Sequence, residues 1–125
     1  MLISLPILQT TTGDFTFHVP VPYAVRLKSI KFVSGQALTA DGTNYLEVEI
    51  LANDGSTVLA RRSTDSGDSG TNIVAGTVED LTLSNFDDSA LAADEAYKVT
   101  TVSTGTLANT VDLMLIIEVE ADRSY

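Results

Sequence analysis

Residues 110–120 read TVDLMLIIEVE, and their polarity repeats at every second position. Val111, Leu113, Leu115, Ile117 and Val119 fall on one side of an extended chain, with Asp112, Glu118 and Glu120 on the other. A helix would scatter those apolar residues around its circumference, so the run is a β-strand with a buried face. Met114 and Ile116 make the middle of its second face apolar as well. A strand of that kind lies centrally in its sheet or is pressed against something further.

The same period recurs upstream. In YLEVEILA, Leu46, Val48, Ile50 and Ala52 alternate with Glu47, Glu49 and Leu51. Asn53-Asp54-Gly55 follows, residues that tolerate positive φ, and TVLARRS then resumes the apolar pattern, which predicts a β-hairpin. Between Ala24 and Val33 the alternation changes phase, Val25 and Leu27 sharing one parity and Ile30 and Phe32 the other. A bulge near Ser29 would turn both pairs inward. FTFHV, DLTLS and AYKVTTVST supply further strands, and DDSALAADEA alone reads as a turn or so of helix. About eight short strands without βα alternation predict an all-β fold, an antiparallel β-sandwich of jelly-roll type.

The chain of 125 residues suits one domain that buries a core without staples. It has no cysteine, which excludes disulfides and thiolate metal sites. Seventeen acidic residues against seven Lys and Arg give a net charge of −10, and Arg61-Arg62 is the longest basic run. Such a surface repels phosphate backbones, so no nucleic-acid partner is expected. MLISLPIL lacks a basic leader and a cleavage pattern, and its apolar run is too short to span a bilayer; no membrane partner is expected.

Gly67-Asp68-Ser69-Gly70 matches the residues around the nucleophile of chymotrypsin-like proteases. That chemistry needs two barrels and an oxyanion hole, whereas here Thr71-Asn72 follows the motif and His18, the only imidazole, lies in a strand. A solvated turn-rich loop is the expected role, and no catalytic residue is assigned. Asp65, Asp68 and Asn72, with Asp41 or Asp87-Asp88 from elsewhere, offer calcium-type oxygens. They fail the EF-hand spacing, since the twelfth residue from Asp65 is Gly76, so no metal or cofactor is assigned, and a non-standard calcium site assembled from separate loops stays as the alternative. Sugar-binding sandwiches present aromatic platforms, yet this chain has no Trp, and Phe15, Phe17, Phe32, Phe86, Tyr23, Tyr45, Tyr97 and Tyr125 are scattered.

What remains unusual is apolar residues without an obvious core role. Leu2, Ile3, Leu5, Ile7 and Leu8 surround Pro6, which confines the segment to an edge strand or an extended arm. Residues 1–12 are therefore read as an apolar arm or edge strand, and 13–125 as a single β-sandwich domain. With Met114 and Ile116, those five are the candidate interface residues. Pro20 and Pro22 remove two donors on the same side of an extended segment and guard a sheet edge.

The series AVRLKSIKFVSG, YLEVEILANDGSTVLARRS, LAADEAYKVTTVSTG and TVDLMLIIEVE resembles the small β-sandwich virion proteins of tailed bacteriophages, especially capsid decoration (cement) proteins and related head or fibre modules. Asn53-Asp54-Gly55 stands at the family's hairpin, and Ala92-Ala93-Asp94 at its late turn, with alanine where glycine is usual. The resemblance implies a jelly-roll-like sandwich on the outer capsid surface, often a homotrimer, that stabilises the shell by bridging capsomers of the major capsid protein. It implies no catalytic residues. The rival expectation is a receptor- or glycan-binding module of a phage fibre or head appendage.

Overall fold

The computed structural model describes residues 1–122. Eight strands form: β1 (Leu2–Gln9), β2 (Asp14–Pro20), β3 (Val25–Ser34), β4 (Tyr45–Leu51), β5 (Val58–Ser63), β6 (Glu79–Asp80), β7 (Ala96–Thr104) and β8 (Val111–Ala121). They make two four-stranded antiparallel sheets, ordered β1-β8-β3-β6 in the first and β2-β7-β4-β5 in the second. The chain thus pairs as if one long hairpin, 1 with 8, 2 with 7, 3 with 6 and 4 with 5, were rolled up. That order is the jelly roll.

The core lies between the sheets. Val111, Leu113, Leu115, Ile117 and Val119 of β8 face Leu46, Val48 and Ile50 of β4, Tyr97 and Val99 of β7, and their neighbours, all buried. β8 is central, flanked by β1 and β3, as a strand apolar on both faces requires. The phase change in β3 is a bulge: Leu27 pairs with Val119 and Ser29 with Glu118, so Lys28 is the extra residue. It returns Ile30 and Phe32 to the core beside Val25 and Leu27.

The β4–β5 hairpin closes through Gly55 at φ 76°. Asp54 Oδ1 accepts from the backbone N–H groups of Ser56 and Thr57, at 2.9 Å each, and Oδ2 accepts from the Thr57 hydroxyl. At the late turn Asp94, not either alanine, takes positive φ, at 68°, so the missing glycine costs nothing. The Glu95 carboxylate completes the turn by accepting from the Ala92 N–H at 2.7 Å.

One expectation is corrected. DLTLS is not a strand beyond Asp80, because the segment crosses between sheets: the Leu81 N–H donates to Ile30 of the first sheet and the Ser84 N–H to Leu59 of the second. DDSALAADEA begins in the short helical turn expected of it, a 3-10 turn over Phe86–Ser89, after which Leu91 bridges to Val25. Tyr125 and the Phe86 side chain, named among the scattered aromatics, lie outside the described residues.

Candidate interaction surface

The two edges of the sandwich differ. On one side β5 and β6 are clasped across the sheets by Arg62, which faces inward opposite Val48 and is buried. Its Nε donates to both Glu79 carboxylate oxygens at 3.1 and 3.2 Å, and its terminal nitrogens donate to the carbonyls of Ser63, Thr71 and Asn72. One guanidinium therefore ties the loop after β5 to both sheets. The clasp puts β1 and β2 together on the opposite edge.

That second edge carries every proline of the chain. Met1 and Val119 exchange both backbone hydrogen bonds at 2.9 Å, so odd residues of β1 bond to β8 and even ones turn away. Pro6 thus places its missing donor on the free edge. Likewise the Val21 N–H donates to Glu95, which sends Pro20 and Pro22 to the free edge of β2. Neither edge offers an unbroken row of donors to an incoming strand.

The motif Gly67-Asp68-Ser69-Gly70 lies in the loop after β5. Asp65 caps a 3-10 turn by accepting from the Gly67 N–H, and Ser69 adopts φ 60°. Gly70 is required because a Cβ there would stand 2.3 Å from the Asp65 nitrogen. His18 is exposed on β2, at the far edge of the sheet from β5. Three interstrand spacings, about 14 Å, separate those strands, so Ser69 and His18 are not brought together.

The calcium-type oxygens serve the chain's own donors. Asp68 accepts from Arg61 at 2.9 Å, Asn72 Oδ1 from the Ala40 N–H, and Asp41 from the N–H groups of Thr43 and Asn44, which hold its carboxyl below the usual range. Among the described residues no group of three or more His, Asp or Glu is placed to hold a metal ion.

The outer faces of the sheets also contrast. The second sheet presents Thr16, Thr100, Glu49 and Arg61 in one row, and Asp14, Val102, Glu47 and Ser63 in another. The first sheet presents Pro6, Met114 and Val33 across β1, β8 and β3, with Ile116 in the adjoining row and Leu8 at the corner. An open groove of about 570 Å³ runs across this face, lined chiefly by Pro6, Leu8, Val33 and Met114, with Gly76 at the β3 side and Asp112 at one end. Leu8 is 59% exposed, and Val74 and Val78 of the neighbouring loop are 62% and 59% exposed. Ion pairs rim the face: Lys31 with Asp80, Lys28 with Glu118, and Arg26 with Asp122.

The candidate interface residues therefore divide. Leu2, Leu8, Met114 and Ile116 lie on the outer face. Ile7 is core, and Ile3 and Leu5 pack against it, because β1 is a paired strand and its odd residues turn inward. The arm alternative falls with them: Leu2–Gln9 pairs with β8 along its whole length. Val33 was missed as a surface residue, although the bulge that turns Phe32 inward necessarily turns Val33 out.

No protein-family model matches the chain, and no curated protein matches it. Among solved structures, a chain of "Structure of infectious bursal disease virus Gx strain" aligns at TM-score 0.36 and 10% identity over 99% of this chain. A chain of the Gt strain aligns at TM-score 0.30 and 11% identity, also over 99%. This chain spans 33% of each of those chains, and similarity at that level carries no inference about its role.

Proposed function

We propose that the chain is a non-enzymatic structural protein of a bacteriophage virion, a capsid decoration protein of the outer surface. The observation that carries this is the contrast between faces: a jelly roll with a polar outer sheet and, opposite it, an apolar face with a charged rim. Interfaces have that anatomy of apolar centre and polar rim. In this reading the first sheet's outer face seats on the major capsid protein, and homotrimers bridge capsomers. A protein that binds only the assembled shell stabilises it by mass action, by about 2.7 kcal/mol at a hundredfold excess over Kd.

The test is binding to isolated shells of the virus that carries the chain, followed by the thermal transition of the shell, with oligomer mass from light scattering. Wild type should co-sediment with shells and raise their transition temperature. Met114→Glu should stay folded and lose both effects. A chain that neither co-sediments nor shifts the transition overturns the reading. Binding to a glycan array in its place would favour the fibre or appendage module.

A further inference from the structure

We infer that the groove on the first sheet receives an extended apolar segment of a partner protein that carries a lysine or arginine. The inference builds on reading this face as the contact surface and names the chemistry of its occupant. Three observations select that occupant. First, the lining is apolar except at one end, where Asp112 is its only ionisable side chain. The neutral amide of Gln36 brackets Asp112, donating from Nε2 to the carboxylate at 3.0 Å and accepting from the Asp112 N–H at 2.6 Å. Among the described residues Asp112 enters no ion pair, so its charge is left for an incoming cation.

Second, area excludes another copy of this chain as the occupant of this face. Four strands about 4.8 Å apart give a face roughly 19 Å wide, and its apolar rows cover well under the ~800 Å² per partner of a stable complex. A single segment needs no such area, because the rest of its protein can make contacts elsewhere. Third, Pro6 breaks the row of donors on the free edge of β1, which disfavours addition of the segment as a fifth strand and favours a seat on the face.

The chain has two methionines, Met1 and Met114, which gives a simple experiment. Methionine-methyl NMR of the full chain is followed while the capped tetrapeptide lysyl-valyl-leucyl-lysine amide is added, and then its glutamyl analogue. The basic peptide should move the Met114 methyl saturably and leave Met1 in place. The acidic peptide should bind at least about threefold more weakly, since one exposed charge pair alone gives that factor. Asp112→Asn should shrink that difference, and Leu8→Lys should abolish binding of the basic peptide. Equal binding of both peptides by wild type, or no Met114 response, overturns the inference. A Met114 shift that grows with protein concentration alone, alongside a rise in mass, makes a second copy the occupant and overturns it as well. No shell enters this experiment, so failure to bind shells and failure of the groove are read separately.

Discussion

Two side chains set local chemistry that a titration can read. Asp54 is held at about 2, below its ordinary 3.8, chiefly by the Thr57 hydroxyl and then by the Thr57 and Ser56 N–H groups. A depressed carboxyl stabilises the fold above its unfolded pKa, and the contribution is lost as pH falls from 3.8 toward 2. Carboxyl NMR should place the Asp54 midpoint near that lower value, and Thr57→Val should move it upward; an unmoved midpoint would remove the hydroxyl from the account. Tyr97 works in the opposite direction. Burial pushes its phenol up to about 12, and its hydroxyl donates to the buried Ser89 carbonyl. A raised acid contributes stability that is complete below its unfolded value near 10 and is lost as pH rises toward 12. Wild type should therefore weaken across that alkaline range. Tyr97→Phe should lack this Tyr97 component and cost about 1–3 kcal/mol at neutral pH in urea denaturation, because the Ser89 carbonyl loses its donor.

At the scale of elements, much was legible because strand period is local. The alternation in β8 and β4, the phase change in β3 and the Asp54-Gly55 turn each rest on neighbouring residues, and the structure has all of them. What could not be read depends on residues far apart in the chain. DLTLS has strand composition, yet its donors go to two different sheets. Arg62 sits at an inward position of β5, and only the rolled topology brings Glu79 of β6 within reach. The face of the candidate site was half legible: parity within β1 separates Leu2 and Leu8 from Ile3, Leu5 and Ile7, but only the pairing of Pro6 with Met114 shows which set shares the face of Met114 and which meets the core. The Arg62 clasp carries its own expectation. Arg62→Met should cost about 3 kcal/mol in urea denaturation, since it leaves Glu79 and the carbonyls of Thr71 and Asn72 without the donor that Arg62 supplies. Arg62→Lys should recover only part, because an ammonium cannot reproduce the planar fork. Full recovery by lysine would show that charge alone holds the edge together.

For the whole molecule, the decisive question is how much of β1 belongs to the fold and how much to the surface. Its odd residues line the core side of β8, whereas Leu2 and Leu8 stand 65% and 59% exposed. Removing residues 1–8 strips β8 of a neighbour along its length and withdraws Ile3, Leu5 and Ile7 from the core. Ile7 alone is fully buried and worth roughly 1.5–3 kcal/mol, the half-buried Ile3 and Leu5 add less, and with the lost β1–β8 pairing the total is a large share of the roughly 5–15 kcal/mol that holds a domain together. The truncated chain should therefore lose its cooperative thermal transition, and no oligomer measured on it reports on an interface. Leu8→Ser removes only exposed surface and should stay within about 0.5 kcal/mol of wild type. Circular dichroism melts of the two variants separate the roles: a truncated chain that melts like wild type would make β1 an appendage after all. A collapsed truncation beside an unperturbed Leu8→Ser makes β1 a strand whose outer residues alone are free to meet a partner.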